Sequence, residues 1–198
     1  MIKFFSALFL IFVVNFQLSC NSSFHRLECD SQLQCYISKI EKIPEAKILI
    51  ENTLKEGPLR IEVRGTDISR QFGAFWDRDA RAICIAEPTS VPESAVIGSL
   101  LFELHNASID SKFDALEQQA ISGRMSKSIF IEKMEHLEYV NSLNTAKVAE
   151  KGIAMGIIPA GSRLPTYSSF KEHFAAQQAS GHSACFAQYY DSLRPGRA

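Results

Sequence analysis

Apolar residues recur along this 198-residue chain at spacings that pass from helical to strand-like and back. Leu33, Tyr36, Ile37 and Ile40 fall three and four residues apart, so residues 31–42 read as a helix with one apolar face. Pro44 suits the first turn of a second helix, where its missing amide is not needed, and Gly57 suits the end of it. At Leu59 the period switches to strict alternation: Leu59, Ile61 and Val63 are apolar, Arg60, Glu62 and Arg64 charged. That is a half-buried strand closed by Gly65. Two further runs, 72–76 and 80–86, flank the turn-prone trio Asp77, Arg78 and Asp79 and predict a β-hairpin. Asp77 and Asp79 are also candidate cation ligands, although turn chemistry accounts for both.

Beyond the hairpin the pattern is helical. Ser90 and Glu93 have the spacing of a capping box, in which a hydroxyl and a carboxylate satisfy the first free amides of a helix. The helix they start carries residues 99–108. Further helices are predicted over 109–122 and 127–155, separated by Gly123 and ended by Gly156. Pro159, Gly161 and Pro165 mark a loop, Ser169 and Glu172 repeat the capping-box spacing, and a last helix runs from Ser183 to Leu193. The fold class is therefore α+β, a small antiparallel sheet or hairpin followed by a predominantly helical domain.

The first residues belong to a different pattern. Lys3 precedes an apolar run from Phe4 to Phe16, interrupted by Ser6 and Asn15 and followed by polar sequence, which reads as a secretory signal too short to favour a membrane span. Two cleavage readings stand. In one, residues 1–19 are removed and Cys20 is lipidated, with Gln17 where a lipobox usually carries Leu; in the other, ordinary processing follows Ser22. Either leaves about 20–198 as one domain, exported as a periplasmic or envelope lipoprotein or secreted, and long enough to bury roughly 70% of its unfolded surface. Cys29, Cys35, Cys84 and Cys185 then remain for an oxidising compartment and are disulfide candidates: Cys29 with Cys35 is the local pair, leaving Cys84 with Cys185, among three connectivities. A net charge of −1 and no basic block argue against nucleic acid and anionic membrane surfaces. The expected partner is a protein or small molecule, and the membrane enters only through a lipid anchor.

The chemistry turns on the stretch SLLFELHNAS, residues 99–108, which has the cadence of H-E-x-x-H with Phe102 and Asn106 at the histidine positions. Taken with KIPEAKILIENTLKEGPLRIEVR, the hairpin FGAFWDRDARAICIAE and the helix SAVIGSLLFELHNAS, in that order, the chain resembles zincin-like metallopeptidases of secreted bacterial effectors and toxins over roughly residues 36–155. The resemblance implies a zincin-like scaffold in which Glu103 holds the general-base position. It also implies zinc, but here the pattern departs: Phe has no donor atom, an Asn amide oxygen is a poor zinc ligand, and His105 lies about 100° around the helix from Asn106. No cofactor is favoured. On the structural reading Leu101, Phe102 and Ala107 pack into the core with Glu103 and Asn106 hydrogen-bonded beside them.

Other constellations are weaker. Glu132 and His136 stand at i and i+4, a spacing that can hold a metal, with Glu135 and Glu138 nearby. His182 is flanked by the nucleophile candidates Ser183 and Cys185, without an acidic partner or oxyanion signature in the local sequence. Three functions follow: an exported binding protein on a degenerate zincin-like scaffold; a metal-dependent hydrolase or peptidase in which Glu103 is the base and the fold assembles zinc ligands from His105, Glu132, His136, Glu138, His173 and His182; or a structural envelope protein.

Overall fold

The alternating strand and the hairpin form a base on which the helices stack. The computed structural model describes residues 26–65 and 73–194; the N-terminal run read as an export signal, Cys20 and Phe72 lie outside them. Strands β1 (Leu27–Cys29), β2 (Leu59–Val63), β3 (Ala74–Asp77) and β4 (Ala82–Ile85) form one sheet in the order β1-β2-β4-β3. The hairpin is antiparallel as predicted, with Ala74 opposite Ile85 and Asp77 opposite Ala82. The other two ladders are parallel, so the sheet is mixed rather than antiparallel. The connections explain this. Helices α1 (Gln34–Ile40) and α2 (Pro44–Glu56) return the chain from β1 to β2 in the same direction, and β3 occupies the edge beyond β4, so that β4 comes back alongside β2. The pattern did not predict β1, whose three residues are too few for an alternation to register.

The remaining helices are α3 (Glu93–Ser108), α4 (Asp110–Ile121), α5 (Lys127–Ala154), α6 (Phe170–Ser180) and α7 (His182–Leu193). Their bounds lie within a residue or two of those read from the punctuation. Pro44 occupies the first turn of α2, and Ser169 Oγ caps α6 by accepting from the Glu172 amide at 3.3 Å. Ser90 is a correction: its hydroxyl donates to the Glu87 carbonyl at 3.0 Å, α3 begins behind Pro92 with no side-chain cap, and the Glu93 carboxylate pairs with Lys39 instead.

Helix α3 lies on the sheet and organises the main core. Val96, Ile97, Leu100, Leu101, Leu104 and Ala107 are buried in one cluster with Ile61, Ile83 and Ile85 of the sheet and Ile37, Ile40 and Ile50 of α1 and α2. A second apolar cluster, Phe113, Ala120, Met125, Phe130, Met134 and Tyr190, joins α4, α5 and α7. The 28-residue α5 belongs to both, giving Phe130 and Met134 to the second and Val148 and Ala149 to the first.

Candidate functional site

A cavity of about 500 Å³ opens where the two clusters meet. Its walls are aromatic, with Trp76 from β3, Phe102 from α3, Phe113 from α4 and Phe186 and Tyr189 from α7. Its polar lining carries two carboxyls, Glu103 and Glu138, with the imidazoles of His173 and His182 and the Arg78 guanidinium.

Helical spacing puts these groups together. Glu103 and Asn106 share a face of α3, and the Asn106 amide donates to Glu103 Oε2 at 3.0 Å while itself accepting from Asn141 of α5 at 2.8 Å. Glu135 and Glu138, also three residues apart, share the inward face of α5. Gly181, in the left-handed region with φ 85°, ends α6 and turns the chain so that His182 and Ser183 open α7 over that face. His182 Nδ1 lies 3.1 Å from Glu135 Oε1, its Nε2 3.5 Å from Glu138 Oε2, and the Ser183 hydroxyl donates to Glu135 Oε1 at 2.6 Å. His173 of α6 brings Nε2 to 3.6 Å from Glu135 Oε2.

The electrostatics separate the three carboxylates. Burial, then repulsion from Glu138, raises Glu103 to about 8 against the Asn106 hydrogen bond, the Trp76 backbone and the His182 charge. Burial raises Glu138 to about 7, with the attraction of His182 opposing and the Glu135 charge adding. Glu135 is pushed up by burial too, but its neighbours His173, His182 and Ser183 outweigh that and hold it at about 2. Burial lowers His182, and the Glu135 hydrogen bond with the charges of Glu138, Glu135 and Glu103 more than reverses this, to about 9. At pH 7 the lining thus holds a neutral acid, a titrating acid and the His182 imidazolium, which is paired behind the cavity wall with the fully buried Glu135. Such a lining can donate a hydrogen bond, relay a proton or exchange its protons for a cation.

The structure brings together Glu103, Glu138, His173 and His182 of the residues singled out in the sequence, and leaves others apart. His105 points away from the cavity, its Nδ1 2.8 Å from the Leu101 carbonyl and 3.1 Å from Thr145 Oγ1, with burial lowering its imidazole. Glu132 and His136 lie on the exposed face of α5, His136 edge-on to the Phe170 ring with centroids 4.9 Å apart. Leu101 and Ala107 are core residues as expected, whereas Phe102 is half-buried and forms cavity wall, because its helix face looks past the sheet edge. Asp77 Oδ1 accepts from the Ala80 amide at 3.1 Å, which is turn chemistry, and Asp79 is exposed. Ser183 is committed to Glu135, while Cys185 lines the cavity.

All four described cysteines are free thiols. Cys29 is raised to about 11 by burial and by the charges of Asp30, Glu41 and Cys35, the last placing the two thiols in one neighbourhood. Cys84 is buried on β4 and accepts from Arg64 Nη2 at 2.6 Å. Glu135 was noted in the sequence only as a neighbour of Glu132 and His136 and left out of the ligand pool; the signal was there, since Phe130, Met134, Asn141 and Thr145 mark an inward stripe on which Glu135 and Glu138 also fall. No described helix is long and apolar enough to cross a membrane. Compared with known proteins, the chain matches no family model, no curated protein and no solved structure.

Proposed function

We propose that this exported protein works by binding a small organic molecule in the cavity, its apolar body against Trp76, Phe102 and Phe186 and its polar end on Glu103 and Glu138. One observation carries the reading: Glu103, only 7% exposed, lines open volume and has no guanidinium or ammonium ion pair among the described residues, the lining Arg78 being paired with Asp110, Asp114 and Glu117. Burying a carboxyl that way is costly, and a purely structural helix gains nothing from it. A concave, mainly aromatic site with a few convergent polar groups of shifted acidity is the usual form of a ligand site. A second reading is favoured by the same carboxyl. Held near neutrality, Glu103 is suited to general acid–base work in a hydrolase, the role its position in the zincin-like stretch implies.

The test is a fragment screen by thermal shift and NMR with aromatic amines, alcohols and acids. Binders should perturb the Trp76 indole and Phe102 ring signals, and Phe102→Ala should weaken them about tenfold, the removal of one aromatic wall. Hydrolysis of ester or peptide fragments that is lost in Glu103→Gln would select the second reading. Absence of any fragment that perturbs Trp76 or Phe102 would refute both.

A further inference from the structure

Two atoms beside the cavity lack what buried polar atoms almost always have. His173 Nε2, on a side chain 4% exposed, and Glu135 Oε2, on one fully buried, face each other at 3.6 Å, and neither has a hydrogen-bond partner among the described residues. That separation is too long for a hydrogen bond and close to the spacing of about 3.4 Å between ligands around a tetrahedral ion with bonds near 2.1 Å. Independently, Glu135, Glu138 and His182 each offer a donor atom within 4.8 Å of the others. With His173 these groups come from three helices, and Glu135 and His182 are 47 residues apart in sequence.

We propose that Glu135, Glu138 and His182 form the core of a divalent transition-metal site, completed by His173 from its place beside Glu135, with Zn²⁺ the ion it takes. Two carboxylates neutralise a divalent ion. Two imidazoles select against Mg²⁺ and Ca²⁺, and for mixed nitrogen and oxygen donors Zn²⁺ binds more tightly than Mn²⁺ or Fe²⁺. The His182 ring lies between the carboxylates, Nδ1 toward Glu135 and Nε2 toward Glu138, so one ring nitrogen would meet the ion and the other would keep its carboxylate contact. The ligands differ from those that the H-E-x-x-H cadence would supply, since Phe102 and Asn106 take no part. Glu103, also lining the cavity and close enough to Glu138 to feel its charge, is the group that would meet a molecule approaching the ion. That last role rests on the cavity being the working site; ion binding does not.

Calorimetric titration of the chelator-treated chain with Zn²⁺ at pH 7 should show one ion per chain with Kd below about 1 µM. Glu138→Gln and His173→Ala should each weaken it at least tenfold, and His136→Ala, on the exposed face of α5, should not. Binding below half an ion per chain, or affinity unchanged in the first two variants, would overturn the proposal. Should either variant lose its circular-dichroism signature, the histidine NMR spectrum of the wild-type chain decides: added Zn²⁺ must shift His173 and His182 and leave His105 alone. Fragment binding that persists in a chain taking no zinc would remove the ion and leave the cavity reading intact.

Discussion

Two groups of carboxylates lie close together in this fold and are completed in opposite ways. Beside the hairpin, Arg78 pairs with Asp110 at 2.6 Å and with Asp114 and Glu117, Arg81 approaches Asp110 at 3.9 Å, and the Trp76 indole donates to Asp110 at 3.0 Å. At and just behind the cavity wall, Glu103, Glu135 and Glu138 meet imidazoles, amides and the Ser183 hydroxyl, and no guanidinium or ammonium among the described residues. A guanidinium is charged at every accessible pH, so the first group is balanced permanently. The second is balanced by protons, which leave as pH rises or when a cation arrives. Fixed balance builds structure, whereas exchangeable balance suits a site.

Removing charge should therefore have opposite signs in the two groups. Arg78→Ala leaves Asp110 and Glu117, whose side chains are 14% and 12% exposed, without their main cation, and should cost about 3 kcal/mol or more by urea denaturation. A loss under about 1 kcal/mol would erase the contrast. Glu103→Gln should instead stabilise the metal-free chain at pH 8 by about 1 kcal/mol or more, because it keeps the shape and the Asn106 neighbour while removing a charge the site resists. Destabilisation there would place Glu103 among the structural pairs.

The pH profile sharpens the same point. The folded pKa values of Glu103 and Glu138, about 8 and about 7, lie above their ordinary 4.5, so their contribution is present below about pH 4.5 and is lost as pH rises through 7 and 8. His182, raised from 6.5 to about 9, contributes below 6.5 and loses it through 9. Glu135, lowered to about 2, acts only at the acid end, where its contribution is lost as pH falls below 4.5. The metal-free chain should thus lose Tm steadily from pH 5 to 9, and zinc should restore it most at the alkaline end. A flat profile would mean that the second group is already compensated.

The smallest expected effects separate two serines that look alike in sequence. Ser169→Ala removes a working cap and should cost about 1 kcal/mol, whereas Ser90→Ala should change stability by a few tenths at most. Both serines precede a Glu by three residues, and only the folded loop shows that Pro92 has displaced the first from the cap. Local signals read local structure well here: Pro44, Gly123, Gly156 and the Asp77–Asp79 turn fell where the elements begin or end. Strand pairing was not legible, because two parallel ladders depend on where helical crossovers deliver the chain, and the three residues of β1 carry no period. The site was half legible. Glu103, Glu138, His173 and His182 stood out as residue types, but their convergence needs α3, α5, α6 and α7 packed together, and Glu135 is buried on a helix whose alternating charges resemble a solvated surface.

The contrast between fixed and exchangeable balance is tested most directly by following the side-chain carboxyl carbons of ¹³C-glutamate in the metal-free chain by NMR from pH 3 to 10. The Glu103 resonance should titrate near 8 and the Glu138 resonance near 7, both displaced when zinc is added. Midpoints for both near the ordinary 4.5, unmoved by zinc, would show the cavity carboxyls to be another structural charge cluster and contradict the account.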